Sequence, residues 1–76
     1  MNTIINDILV FKTNLASEEA LDSIRPILDD HPQIMRWNVD HWDIDKVLRV
    51  VTNSLAPHTV IEMVRQAGFV CEELPD

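Results

Sequence analysis

Residues 60–74 read VIEMVRQAGFVCEEL and contain the single glycine of the chain, Gly68. Before this glycine, apolar residues such as Val60 and Val64 recur at the spacing of one face of a helix. After it, residues 69–74 form a short run that is typical of a strand. A glycine just past the end of a helix adopts positive φ at no steric cost, so the chain can reverse direction there. The stretch therefore predicts a helix that turns at Gly68 into the last strand.

Upstream of this stretch, the patterns predict one more helix and three more strands. Ser17 is a favourable N-cap residue, and Glu18 and Glu19 suit the positive end of a helix dipole. Apolar residues at helical spacing follow, so we expect a first helix that begins after Ser17 and ends near Asp30. Pro26 lies inside this helix and predicts a kink or a tightened last turn. The four predicted strands are Asp7–Thr13, Ile34–Trp42, Lys46–Thr52 and Val70–Leu74, and the second helix has Pro57 in its first turn.

The order strand, helix, strand, strand, helix, strand is that of the ferredoxin-like α+β fold. Right-handed crossovers place both helices on one face of a four-stranded antiparallel sheet. The first and third strands are expected at the centre, and no helix is expected on the other face. The length suits a single domain of this kind over residues 1–76.

The charge and composition of the chain argue against several classes of function. The net charge is −7, from 13 acidic and 6 basic residues, and such a field repels nucleic acids and anionic membranes. No apolar run has the ~20 residues of a membrane span, and the N-terminus lacks the features of a signal peptide. The lone Cys71 excludes an internal disulfide. We therefore expect a cytoplasmic domain whose partners are proteins rather than nucleic acids or membranes.

Two stretches of the chain match the packing signatures of a known family at the same intervals. They are Pro32-Gln33-Ile34 followed by Trp37, Val39 and Asp40, and Val64-Arg65-Gln66-Ala67-Gly68-Phe69. On these residues the chain resembles the heavy-metal-associated (HMA) domain family, which includes small copper chaperones and the N-terminal domains of metal-transporting ATPases. The resemblance covers Asp7 to Leu74 and implies the same ferredoxin-like fold.

The metal-binding motif of that family is missing. HMA domains bind a soft metal through the two thiolates of a Cys-x-x-Cys motif between the first strand and the first helix. The resemblance places Ser17 and Ala20 at these positions, and Leu15 at the position of a methionine. A serine hydroxyl is a poor ligand for Cu(I), and an alanine methyl is no ligand. The family's metal role therefore does not transfer to this chain, and we expect no metal and no other cofactor.

No catalytic constellation is visible in the rest of the sequence. His31, His41 and His58 are spread over three connections, and none of them lies near Cys71 in the sequence. Cys71 is predicted to be a half-buried strand residue whose pKa is raised by the two glutamates that follow it. Adjacent carboxylates do not face each other on a helix or a strand, so they form no acid and base pair. We therefore predict that the protein is not an enzyme.

The uncovered face of the sheet is the predicted interaction surface. Its apolar members come from strands one, three and four, and basic and polar residues border them. Trp42, at the end of the hairpin between strands two and three, is a further candidate contact, whereas Trp37 is expected to pack under the helices. The predicted face consists of Ile8, Val10, Val47, Val51 and Cys71, bordered by Arg36, Asn38 and Arg49.

Three hypotheses about function follow from these observations. The first is a protein-interaction or homodimerisation module that has lost the thiolate metal site. The alternative is a protein that binds or transports metal through Cys71 and histidines. The second alternative is a small-molecule regulatory domain, which rests on the recurrence of such domains on this fold.

Overall fold

The structure is a computed structural model that describes residues 7–74. Residues 1–6 and 75–76, which the predicted domain includes, lie outside the described residues. The element order is the predicted one, strand, helix, strand, strand, helix, strand. The elements are β1 (Asp7–Thr13), α1 (Glu18–Asp29), β2 (Ile34–Asp40), β3 (Val47–Thr52), α2 (Pro57–Gln66) and β4 (Cys71–Glu73).

The four strands form one antiparallel sheet in the order β2-β3-β1-β4. The first and third strands lie at the centre, as predicted. The register pairs Leu9 with Val50 across β1 and β3, and Trp37 with Val50 across β2 and β3. Because side chains alternate along a strand, this register assigns Leu9, Val50 and Trp37 to one face of the sheet.

Both helices pack on that face. α1 buries Ile24 and Leu28, and α2 buries Val60 and Val64. These side chains form one hydrophobic cluster with sheet residues that include Phe11. The predicted arrangement of two helices on one face of the sheet is therefore confirmed.

The first helix begins where its cap was predicted. The Ser17 hydroxyl oxygen accepts a hydrogen bond from the N–H of Ala20 at 3.1 Å, which satisfies one of the free donors of the first turn. α1 continues through Pro26 to Asp29, and the N–H of Asp30 donates to the Pro26 carbonyl at 3.1 Å. Pro26 is exposed, so its ring projects to solvent rather than into the core.

The turn at Gly68 is the one that the sequence predicts. Gly68 has φ +97°, and its N–H donates to the Arg65 carbonyl at 2.9 Å. The N–H of Phe69 then reaches back to the Val64 carbonyl at 3.2 Å, so the last helical carbonyls keep partners. This closure ends α2 and directs the chain into β4.

Three strands are shorter than predicted, and local features account for the end of β2 and the starts of β3 and β4. β2 stops at Asp40 because the Asp40 carboxylate accepts the N–H of Trp42 at 3.0 Å, which starts the turn. β3 begins only after Lys46, which has φ +44°. β4 begins at Cys71 because the N–H of Val70 donates to the side-chain oxygen of Asn14, outside the sheet, at 2.9 Å. Within residues 7–74, no helix is long and apolar enough to cross a membrane.

Candidate interaction surface

The face of the sheet opposite the helices, called the open face below, carries a short apolar strip. Ile8 pairs with Val51 across β1 and β3, and Val10 pairs with Arg49. Ile8 is 62% exposed, whereas Val10 and Val51 are half-buried. A cleft of about 290 Å³ lies beside this strip, lined by Ile8, Arg36, Trp37, Asn38, Arg49 and Val51. Most of the predicted face is therefore brought together by the register of the central strands.

Cys71 does not belong to this face, and the prediction that it projects there is wrong. β4 pairs with β1 so that Cys71 lies opposite Thr13, which is itself buried on the helix side. Cys71 is fully buried in the core cluster, and Phe69 packs against the same cluster. Side chains alternate along the last strand as predicted, but Cys71 faces the helices, whereas the prediction placed it on the open face.

Burial determines the acidity of this thiol. It raises the pKa of Cys71 from 9.0 to about 11, an effect that Arg65 opposes and Glu72 reinforces. The sequence assigned the higher pKa to the neighbouring glutamates, but desolvation of the thiolate is the larger cause. Cys71 is therefore a packed thiol and not an activated nucleophile.

Val47 lies at an open-face position but offers little contact area. It pairs with Asp40, in the same phase as Arg49 and Val51, yet it is only 5% exposed. Among the predicted members of the open face, the exposed apolar area thus comes mainly from Ile8, with smaller parts of Val10 and Val51.

The second apolar surface lies at residues 41–46, between β2 and β3, which we call the hairpin tip. Trp42 is 97% exposed and Ile44 is 91% exposed, so both side chains stand almost entirely in solvent. Trp42 was predicted as a candidate contact. Ile44 was missed because the aspartates on both sides of it give the segment the composition of a polar turn. The signal that could have revealed it is a second large apolar side chain two residues after Trp42.

Hydrogen bonds from backbone and side-chain groups brace the hairpin tip. The N–H of Asp45 donates to the Asp43 carboxylate at 2.8 Å, and the N–H of Lys46 donates to the Asp43 carbonyl at 3.0 Å. The tip is also attached to β1, because Thr13 donates its N–H to the Asp45 carbonyl at 3.0 Å and its hydroxyl to the Lys46 carbonyl. Trp42 and Ile44 are therefore presented by a braced turn.

Trp37 occupies the position predicted for it. Its ring is half-buried and packs against the core cluster under the helices. Its indole N–H donates to the Asp29 carboxylate at 2.7 Å, which satisfies the polar end of the ring. The two tryptophans thus have opposite environments, since Trp37 packs in the fold and Trp42 is exposed.

The residues that the sequence resemblance aligned with the family's motif serve capping and packing in the structure. Ser17 caps α1 through its hydroxyl, Ala20 is 8% exposed, and Leu15 is fully buried. His31 accepts the N–H of Gln33 at 3.1 Å at the end of α1. Within the described range 7–74, no three side chains of His, Cys, Asp or Glu come close enough to hold a metal ion.

The structure is similar to solved structures, whereas the sequence finds no match. No protein-family model matches the chain, and no curated protein matches it. The apo form of the HMA domain of the copper chaperone for superoxide dismutase superposes with a TM-score of 0.78 at 17% identity, covering 99% of this chain and 74% of that chain. A structure described as "Crosstalk between Cu(I) and Zn(II) homeostasis" superposes with a TM-score of 0.75 at 14% identity, covering 90% of this chain and 99% of that chain.

These superpositions confirm the resemblance in fold. The chain has the ferredoxin-like fold of HMA domains, and its single cysteine, Cys71, lies in β4. Ser17 precedes the first residue of α1 and Ala20 lies in its first turn.

Proposed function

We propose that this chain is a single non-catalytic HMA-like domain that binds another protein without using a thiolate metal site. The observation that carries the proposal is the exposure of Trp42, at 97%, beside Ile44 in the hairpin tip. The open face, with Ile8 at its apolar strip, supplies a second contact surface.

The energetics of burial support the hairpin tip as an anchor. Covering a tryptophan removes roughly 200 Å² of surface from water, which at about 25 cal/mol per Å² is a gross gain of roughly 5 kcal/mol. The ordering of interface groups offsets part of this gain. Because the hairpin tip is already braced by hydrogen bonds within the turn, the entropy cost of ordering it is small. Tryptophan is also among the residues enriched in interface hot spots.

One of the similar structures supports this use of the fold. It belongs to a copper chaperone that is named for a protein, superoxide dismutase. A domain of this shape is thus compatible with recognition of another macromolecule, and the acidic surface of this chain favours a partner with basic groups at the contact.

Affinity capture with a matched control tests the proposal. The wild-type chain, the Trp42→Ala/Ile44→Ala variant and the Ile27→Ala variant are immobilised and exposed to lysate of the source cells. Ile27 is a suitable control because it is an exposed apolar residue on α1, outside the hairpin tip. We expect one protein to be retained by the wild type and by Ile27→Ala but not by the hairpin variant.

Binding to the purified partner then decides the matter. Calorimetric titration is expected to show an affinity that falls by about 30-fold or more in the Trp42→Ala/Ile44→Ala variant and stays unchanged in Ile27→Ala. If all three forms bound with equal affinity, or if no protein distinguished them, the hairpin tip would not be the contact surface.

A metal-binding role is the second candidate, and the fold of the similar copper-chaperone domain is what favours it. Titration of the wild type and Cys71→Ser with Cu(I), Zn(II) and Ni(II) separates the two functions. Binding tighter than that of free histidine, lost in Cys71→Ser, would favour the metal function. We expect no such binding, because Cys71 is fully buried and keeps its proton at neutral pH.

A further inference from the structure

We propose that two copies of this chain pair through the free edge of β2, antiparallel and centred on Asn38, so that two sheets join into one. This inference goes beyond the proposed function because it concerns backbone pairing with a second copy at the β2 edge, not recognition of another protein through the hairpin tip. The partner is a second copy of the chain.

β2 is the long unpaired edge of the sheet. The strand order leaves β2 and β4 at the two edges, and within residues 7–74 no strand lies outside them. β4 has three residues, whereas β2 has seven and contains no proline to interrupt pairing. Arg36 and Asn38 are exposed along this edge. A groove of about 440 Å³ runs beside it, lined by residues of α1 and β2 that include Leu21, Arg25, Trp37 and Val39.

The regular part of β2 is the segment that a second copy can extend. The register with β3 shifts between Ile34 and Arg36, so the start of the strand is bulged. From Arg36 to Asp40 the pairing with β3 is uninterrupted. A bulge twists the edge away and hinders pairing, whereas a regular segment presents an unbroken row of backbone donors and acceptors to an antiparallel partner. The middle residue of the regular segment is Asn38.

The side chains of this segment complement themselves about Asn38. An antiparallel pair centred there places Arg36 opposite Asp40 of the second copy, and the two-fold axis repeats this contact. Opposite charges facing each other across two strands are favourable. On the helix side the same register places Trp37 opposite Val39 of the second copy, an aromatic and β-branched pair of the kind that stabilises sheets.

Other centres lose these contacts. A pair centred on Trp37 would place Arg36 opposite Asn38 and Asp40 opposite Ile34. Neither charge would then face an opposite charge, and the paired segment would include the bulged start of β2. Charge and regularity therefore select the same register.

The two charged groups are available for this contact. Arg36 takes part in none of the ion pairs formed among residues 7–74. Asp40 uses one carboxylate oxygen to accept the N–H of Trp42, and its other oxygen lies 4.0 Å from Arg49, at the limit of an ion pair. Its side chain is 35% exposed, so a second guanidinium can reach it.

Charge-swap variants test the register in solution. Sedimentation equilibrium of the wild type over a concentration series is expected to show a monomer–dimer equilibrium. Arg36→Asp places two acidic pairs at the edge and Asp40→Arg places two basic pairs, so each variant alone is expected to be a monomer. An equimolar mixture of the two is expected to form a dimer, because every contact in the mixed pair joins opposite charges.

Asn38 gives a second test that leaves Asp40 and its cap on Trp42 intact. Asn38 sits on the two-fold axis, so Asn38→Lys and Asn38→Asp are each expected to be monomers, while their mixture dimerises. Circular dichroism confirms that each variant is folded. Trp42→Ala/Ile44→Ala and Ile8→Ser leave the β2 edge unchanged and should dimerise like the wild type. A failure of the hairpin-tip binding test therefore leaves this result unaffected, and the reverse also holds.

Three outcomes would overturn the proposal. The wild type stays a monomer at its highest soluble concentration, the mixtures of complementary variants remain monomeric, or a wild-type dimer persists unchanged in Arg36→Asp and Asn38→Lys. The last result would assign dimerisation to another surface.

Discussion

Cys71 carries the only thiol of the chain, and the fold keeps it protonated in the core. Its pKa in the native state is about 11, against 9.0 for the free group. Between these values the native state holds a proton that the unfolded state has released, so rising pH favours unfolding. We expect the free energy of unfolding to fall by roughly 2–3 kcal/mol as pH rises through this range, as measured by urea denaturation.

The Cys71→Ala variant supplies the reference for that measurement. Lysines also titrate at alkaline pH, so the relevant quantity is the difference in pH dependence between the wild type and Cys71→Ala. Below pH 9 the two pH profiles should run parallel, and above it the wild type should lose stability faster. Profiles that stay parallel throughout would show that the thiol is not desolvated.

Ser17 illustrates how a residue at a family's metal position serves the helix instead. Its hydroxyl accepts the N–H of Ala20 at 3.1 Å, so Ser17→Ala leaves that donor without a protein partner. We expect a loss of about 1 kcal/mol in the free energy of unfolding, measured by urea denaturation. Ser23→Ala is the matched control, since the exposed Ser23 hydroxyl only donates back to the Glu19 carbonyl. Equal losses in both variants would contradict the capping role.

The elements themselves depend on a few turn positions, of which Gly68 is the most demanding. Its φ of +97° is unfavourable for any residue with a β-carbon, although a methyl group there would meet no atom within 4 Å. We expect Gly68→Ala to destabilise the fold by about 1 kcal/mol or more through backbone strain alone. Thermal unfolding measures the effect. Gln66→Ala, two residues earlier at the exposed end of α2, should change the stability little. A Gly68→Ala protein as stable as that control would show that the turn tolerates other conformations.

Element boundaries show where local reasoning succeeds and where it fails. β1 was predicted with the bounds that it has, because a short apolar run ends at polar residues on both sides. β2 was predicted two residues too long. Its end depends on the Asp40 carboxylate capping the N–H of Trp42, a side-chain contact that has no signature in the periodicity.

Across the whole molecule, the core is one-sided, and that asymmetry is measurable. Leu48 points into the helix-covered cluster and is fully buried, whereas Ile8 lies on the open face and is 62% exposed. We expect Leu48→Ala to cost about 2–5 kcal/mol in the free energy of unfolding, and Ile8→Ala to cost less than about 0.5 kcal/mol. Urea denaturation compares the two. If both variants lost a similar free energy of unfolding, the open face would have to be covered in solution. Sedimentation of the wild type would then show whether a second copy of the chain covers it.

The candidate surfaces were predictable in part. Ile8, Val10 and Val51 follow from alternation along two central strands, which sets their common face. Cys71 was assigned to the wrong face, because a three-residue edge strand has too few positions for alternation to reveal which side is buried. Ile44 was read as part of a polar turn, although its 91% exposure makes it a neighbour of Trp42 in the hairpin tip.

Local chemistry along the chain was sufficient to establish the order of elements, the cap at Ser17, the turn at Gly68 and the absence of a thiol pair, since each depends on residues a few positions apart. Long-range pairing was needed to establish the face that holds Cys71, the burial of Val47 and the free edge of β2. Those properties depend on the register between strands far apart in the sequence, and a shift of one residue in that register exchanges the buried and exposed faces.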